Sequence, residues 1–143
     1  MNPKLLLRIA AIIILLHAFG HTMGIFTWKQ TTGPVPQDLI KQMTEQKFSF
    51  MGTTASMGAF YEGMGYASTI AMLMVVFILW IVAASADKYP SFSVKILLPV
   101  SMFLFLLGLD ELVYFFPMAA AFSFAAMLLT FFSIFKLSKT TAV

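Results

Sequence analysis

The 143-residue sequence contains no cysteine, and only 10% of its residues are charged. The absence of cysteine excludes disulfide bonds, thiolate metal sites and thiol redox chemistry. The scarcity of charge excludes an ordinary soluble domain, in which about a quarter of the residues are charged and about half are apolar. Because 60% of the residues are hydrophobic, the composition predicts an integral membrane protein.

The chain also lacks sequence motifs that bind nucleotides or nucleic acids. Gly63-Met64-Gly65 is too short for a dinucleotide-binding or phosphate-binding glycine motif. The formal net charge is +3, but the lysines lie at the ends of apolar segments, where membrane topology places them. We therefore expect the lipid bilayer as a partner and no nucleic acid, with a homo-oligomer or a larger membrane complex left open.

Four apolar segments are each long enough to cross a hydrocarbon core of about 30 Å, which takes about 20 helical residues. The apolar runs are continuous, which favours helices over the alternating strands of a closed barrel. No small-residue cleavage site follows the first run, so we interpret it as a retained span and not as a signal peptide. The expected fold is an all-α, integral membrane four-helix bundle, one transmembrane domain over residues 1–143, with spans at about 5–26, 57–86, 94–116 and 117–135.

Residues 27–56 form the one long connection between spans. Apolar residues and one lysine recur there at helical spacing, at Val35, Leu39, Met43, Lys47 and Phe50. This spacing predicts a short amphipathic helix in the membrane interface, with an ordinary surface loop as the alternative. Three basic residues lie in this connection, whereas six flank the side of the N-terminus: Lys4, Arg8, Lys88, Lys95, Lys136 and Lys139. The positive-inside rule then predicts that both termini are cytoplasmic and that residues 27–56 form an outer loop.

The first span contains the stretch LLHAFGHTMG, residues 15–24, in which two histidines lie four residues apart. At 1.5 Å per residue, His21 lies about 24 Å along its helix from Leu5, and Asp110 lies about 24 Å along its helix from Val94. Glu62 is near the start of the second span, on the same outer side of an up-and-down bundle. We therefore expect histidines and carboxylates from three helices to meet at one depth.

Helical wheels assign a polar face to each of these helices. On the first helix the face comprises Ala10, His17, Gly20, His21, Gly24 and Trp28. Gly20 and Gly24 there match the small-xxx-small pattern that lets a neighbouring backbone approach closely. On the second helix it comprises Gly58, Glu62, Gly65, Tyr66, Thr69 and Trp80. On the third, Asp110 shares its face with Phe103 and Tyr114, whereas Glu111 points about 100° away.

These faces predict an outward-facing pocket that binds a small ligand, a lipid headgroup or a divalent metal. Ionisable side chains within spans usually face the protein interior or a water-filled cavity. Two imidazoles at i and i+4, with carboxylates from other helices, can bind zinc, iron or manganese. A histidine beside a carboxylate can also hold a proton near neutral pH. The candidate ligands are His17, His21, Glu62 and Asp110, with Tyr66 and Glu111 as supporting binding residues.

Two other classes of function remain open. A membrane enzyme would use Glu62 or Asp110 as a base and a histidine such as His21 as an acid on a lipid-like substrate. An accessory or structural subunit would use the polar cluster only to fix helix register. Ala18 occupies the position at which a zinc-protease helix carries its glutamate, which excludes that signature. Both histidines come from one helix, which argues against bis-histidine haem ligation.

The runs SMGAFYEGMGYASTIAMLM, residues 56–74, and HAFGHTMGIFTWK, residues 17–29, carry a family resemblance. They resemble small bacterial membrane proteins with four predicted spans, in the size class of DoxX-like proteins. The resemblance covers the first half of the chain more than the second. It implies a four-span architecture in a bacterial inner membrane, and it carries over neither an activity nor a site residue.

Overall fold

The computed structural model describes residues 2–140. Four of the helices described there, α1, α3, α4 and α5, are long and apolar enough to cross a membrane. The structure thus confirms an all-α chain with four candidate spans, as expected of a multi-pass membrane protein. The elements in chain order are α1 (Pro3–Thr27), α2 (Pro34–Glu45), β1 (Lys47–Phe50), β2 (Thr53–Ser56), α3 (Met57–Ser85), α4 (Pro90–Tyr114) and α5 (Pro117–Thr140).

Prolines mark the first turn of four helices, at Pro3, Pro34, Pro90 and Pro117. Proline suits this position because it has no amide hydrogen, and the first amides of a helix have no partner within the helix. The third span therefore begins at Pro90, four residues before the predicted start at Val94. The link between α4 and α5 is only Phe115 and Phe116, so the predicted tight junction is present.

The long connection contains both a helix and a β-hairpin. A helix, α2, lies in this connection, and it ends at Glu45 because the backbone of Gln46 is extended, with φ −71° and ψ 116°. Strands β1 and β2 then pair antiparallel, so Lys47 and Phe50 belong to a strand and not to the helix. Phe48 and Phe50 share one face of β1, and both rings contact Phe60 at centroid distances of 5.8 and 5.7 Å. The alternation of these two phenylalanines was the signal for a strand.

The described chain forms two compact units, of which the first comprises residues 2–18 and 72–140. Segments of all four candidate spans contribute to its apolar core. Small residues such as Ala10 and Ala83 are fully buried there, which lets helices approach closely. Large apolar side chains such as Phe77 and Met102 are exposed, as on a surface that faces lipid. The largest buried core side chains are Leu7, Ile14, Met72, Leu79, Leu97 and Leu104.

The second unit comprises residues 19–71. Within it the end of α1 packs on the start of α3 through glycines of α3. A Cβ atom at Gly65 would lie 2.8 Å from the side chain of Ile25, and one at Gly58 would lie 3.3 Å from the Trp28 ring. The prediction that Gly20 and Gly24 provide the close approach is wrong, because both are exposed and a Cβ at either would meet no atom within 4 Å. The small residues at this contact thus belong to α3, the second span, and not to α1.

Candidate functional site

The buried face of α4 carries Glu111 and not Asp110. Glu111 is 5% exposed, whereas Asp110 is exposed. We predicted that Asp110, Phe103 and Tyr114 form the inward face of this helix. That prediction is wrong, because Phe103 and Tyr114 are also exposed. The buried face contains small residues that let α5 pack closely: it comprises Ser93, Leu97, Val100, Ser101, Leu104, Gly108 and Glu111.

Three buried polar side chains from three helices meet in the first unit. His17 of α1 lies with its Nε2 3.2 Å from Oε1 of Glu111 of α4. Ser123 of α5 donates a hydrogen bond of 2.6 Å to Oε2 of the same carboxylate, and its Oγ lies 3.5 Å from Nδ1 of His17. The three residues are 6%, 5% and 0% exposed, in the order His17, Glu111 and Ser123. We call this group the His17–Glu111–Ser123 cluster.

The geometry of the cluster differs from that of a nucleophilic triad. In a Ser–His–Asp triad the serine bonds to Nε2 of the histidine and the acid bonds to Nδ1, whereas here Glu111 lies at Nε2 and Ser123 lies at Nδ1. Here the shorter hydrogen bond of Ser123 goes to the Glu111 carboxylate, at 2.6 Å. Among the described residues, no buried side-chain nitrogen or oxygen is without a hydrogen-bond partner. The cluster thus ties three helices together, and its arrangement does not favour acyl transfer.

Sequence reasoning missed Ser123 because α5 carries no ionisable residue before Lys136. A weaker signal was present in the spacing of small and hydroxyl residues along this helix. These recur every three or four positions, which is the repeat of one helix face. Six of these small and hydroxyl residues are buried: Ala119, Ala120, Ser123, Ala126, Thr130 and Ser133.

In the second unit, His21 is bonded to a hydroxyl group and not to a carboxylate. Its Nδ1 lies 3.2 Å from Oγ1 of Thr69, which is also 3.2 Å from Oγ1 of Thr22. Thr69 was predicted on the inward face of its helix, and it does contact α1. Tyr66 is 43% exposed, and its ring packs edge-on against Phe26 with centroids 6.4 Å apart.

Glu62 is the centre of a second polar group in this unit. The indole Nε1 of Trp28 donates a hydrogen bond of 3.1 Å to Oε1 of Glu62, and Nζ of Lys29 lies 2.7 Å from the same oxygen. The Trp28 ring also contacts Tyr61, with centroids 5.0 Å apart. Trp28 is therefore more than an interfacial aromatic residue, because it fixes the position of the carboxylate.

The described residues 2–140 contain no group of three or more histidine, aspartate or glutamate side chains arranged to hold a metal ion. Of the four predicted metal ligands, His17 and Asp110 belong to the first unit, and His21 and Glu62 belong to the second. The chemistry of the polar groups is the guide to function, because no protein-family model, curated protein or solved structure matches the chain.

Proposed function

We propose that the protein is a structural, accessory membrane protein in which the His17–Glu111–Ser123 cluster holds α1, α4 and α5 in one register. The observation that carries this proposal is the closure of the cluster. Both carboxylate oxygens of Glu111 have protein partners, and none of the three side chains is more than 6% exposed. A bound ligand would need a free donor or acceptor, and a substrate would need access.

A polar cluster is needed to fix the rotation of a helix in a membrane, because the apolar faces of the helix are equivalent in lipid. Lipid tails are as apolar as leucine, so burial of leucine does not select one helix face over another. A shift of α4 by one residue would rotate Glu111 by about 100° towards the acyl chains. An acidic side chain costs about 2.5–3.5 kcal/mol at the centre of a bilayer, and less at the depth of Glu111, which lies one turn before the end of α4. The hydrogen bonds of Glu111 thus favour the face of α4 that meets α1 and α5.

The proposal is tested by analysing the purified protein for bound components and for stability. We expect His17→Ala and Glu111→Gln to lower the thermal unfolding temperature without the loss of any bound metal or small molecule. Ser133→Ala is the matched control, because Ser133 is also buried in the first unit and bonds to the backbone oxygen of Pro3 at 2.7 Å. A stoichiometric metal or organic ligand that His17→Ala loses and Ser133→Ala keeps would overturn the structural role.

A second candidate function is the binding of a small ligand or lipid headgroup near Glu62, and one observation favours it. The Lys29 and Glu62 side chains are 50% and 31% exposed, so a charged pair beside the Trp28 ring is accessible from outside the protein. Glu62→Gln would test this function by the loss of one lipid or metabolite from extracts of the purified protein. The enzyme alternative, with Glu62, Asp110 or His21 as the acid or base, stays a prediction.

The membrane orientation belongs to the same proposal. We place both termini in the cytoplasm of a bacterial cell and α2 in the outer interface of its inner membrane. Support comes from the basic residues, of which six lie on the side of the N-terminus and three, Lys29, Lys41 and Lys47, lie in the long connection. Support for an interfacial α2 comes from its exposure, since it buries no residue and its Val35 and Leu39 are 77% and 57% exposed.

A further inference from the structure

One end of the first unit is strongly basic. Two contacts bring its segments together: Ser133 bonds to the backbone oxygen of Pro3 at 2.7 Å, and Nζ of Lys4 lies 2.6 Å from Oδ2 of Asp87. The start of α1, the turn between α3 and α4 and the end of α5 thus lie at this end. Asp87 is the one acidic residue of these described segments, against six basic residues: Lys4, Arg8, Lys88, Lys95, Lys136 and Lys139. We call this surface the basic end.

An open cavity of about 380 Å³ lies at the basic end, beside the turn between α3 and α4. The cavity is shallow and open, so it suits the headgroup of a larger molecule and not a fully enclosed small molecule. Two ammonium groups and two aromatic rings line it, and the rings of Tyr89 and Phe92 are 52% and 62% exposed. Nζ of Lys88 lies 5.2 Å from the centroid of the Tyr89 ring. The lining residues are Lys88, Tyr89, Pro90, Ser91, Phe92 and Lys95.

We infer that this cavity binds the headgroup of an anionic phospholipid. Lys88 and Lys95 contact the phosphate oxygens, and Tyr89 and Phe92 contact the glycerol and the first carbons of the acyl chains. The ligand is a membrane lipid because the cavity lies between two candidate spans, where α3 ends at Ser85 and α4 begins at Pro90. Tyrosine and lysine side chains at this depth meet lipid headgroups.

The charge of the basic end favours an anionic lipid over a zwitterionic one. Lysine and arginine side chains near a membrane surface are attracted to anionic lipids, and basic pockets beside transmembrane helices bind anionic headgroups. Asp87, the one acidic residue of the described segments at this end, is paired with Lys4 at 2.6 Å and not with the cavity lysines. The two cavity lysines therefore present their charge to the bilayer.

The test is native mass spectrometry of the full chain, released from detergent with phosphatidylglycerol or with phosphatidylcholine of the same acyl chains. We expect the wild-type protein to retain phosphatidylglycerol in preference to phosphatidylcholine. The double variant Lys88→Gln/Lys95→Gln should lose about tenfold or more in apparent affinity for it, from two contacts of about 1 kcal/mol each. The control Lys136→Gln/Lys139→Gln removes the same charge from the same end but outside the cavity. Its lysines attract lipid to the surface but do not contact the bound headgroup, so its loss should be at least about threefold smaller than that of the cavity variant.

Equal losses in the two double variants would overturn the site, because the basic end would then attract lipid without a defined cavity. Displacement of phosphatidylglycerol by millimolar inorganic phosphate would also overturn it, since a soluble anion would then be the ligand. If the cavity double variant does not fold, the single variants Lys88→Gln and Lys95→Gln serve instead, each with an expected loss of about threefold to fivefold. No loss in either single variant would contradict the inference.

Discussion

Ser123 donates a hydrogen bond of 2.6 Å to Glu111, across the contact between α5 and α4. The neighbouring residues explain why this short bond forms. Gly108 lies one turn before Glu111, and a Cβ at Gly108 would lie 2.8 Å from the ring of Phe124, the residue after Ser123. The absence of a side chain at Gly108 lets the two helices approach closely, so that the hydroxyl reaches the carboxylate. Close packing and the polar bond thus depend on each other.

The adjacent acids Glu111 and Asp110 provide a matched test of the buried cluster. We expect Glu111→Ala to lower the free energy of unfolding by about 1–3 kcal/mol, because His17 and Ser123 would lose their shared partner inside the protein. Asp110→Ala should cost less than about 0.5 kcal/mol, as is usual at an exposed position. Unfolding by sodium dodecyl sulfate in mixed micelles measures both. A larger cost for the Asp110 variant would show that the inner face of α4 is misassigned.

A double-mutant cycle tests whether Ser123 acts through Glu111. Ser123→Ala and Glu111→Ala should show a coupling energy between about 0.6 kcal/mol, the average for polar contacts between transmembrane helices, and about 1.7 kcal/mol, the largest value measured for them. The control pairs Glu111→Ala with Thr130→Ala, since Thr130 is also buried but bonds to Ala126 of its own helix at 2.8 Å. That control coupling should be near zero. Additive effects of Ser123→Ala and Glu111→Ala would show that the hydrogen bond between these two side chains does not stabilise the protein.

The glycines make a separate prediction about close packing. Gly108→Ala and Gly65→Ala should each lower the free energy of unfolding by about 1–3 kcal/mol, because the added methyl group overpacks a tight contact. Gly20→Ala should leave it nearly unchanged, since no atom lies within 4 Å of the new Cβ. The same detergent unfolding assay reports all three. Strong destabilisation by Gly20→Ala would instead indicate that this surface of α1 packs against another chain.

The absence of native cysteine makes the proposed orientation directly measurable. Ser49→Cys in β1 and Ser91→Cys at the start of α4 each add a single thiol at an exposed position. With both termini in the cytoplasm, a membrane-impermeant maleimide should label the Ser49 variant in intact spheroplasts and the Ser91 variant only after permeabilisation. The reverse pattern would invert the orientation, and labelling of both from outside would contradict a span between them.

The partly exposed pair of Glu62 and Lys29 should contribute less than the buried cluster. Lys29→Met should lower the free energy of unfolding by less than about 1 kcal/mol, because exposed ion pairs are screened and cost side-chain entropy. Glu62→Gln keeps a hydrogen-bond acceptor for the indole of Trp28 and should cost a similar amount. The intrinsic fluorescence of Trp28 and Trp80 reports whether the indole environment changes. A loss of several kcal/mol of unfolding free energy in either variant would contradict the assignment of Lys29 and Glu62 as a partly exposed ion pair.

Composition and spacing predicted a useful part of the second unit. The predicted face of α3 does meet α1 and the residues after it: Gly65 and Thr69 contact α1, and Glu62 bonds to Trp28. The hairpin was missed because Lys47 and Phe50 continue the helical spacing of α2 by coincidence. The backbone leaves the helix at Gln46, and the pairing of β1 with β2 decides the rest.

The sequence by itself determined that this is a chain with four helices able to cross a membrane, because length and apolarity are enough to define a span in lipid. Only the tertiary structure decided which polar residues meet. Asp110 and Glu111 are adjacent, and α4 is apolar on every side, so periodicity could not tell its buried face from its exposed face. The close fit of Gly108 against Phe124 selects that face, and it turns Glu111 towards His17 and Ser123.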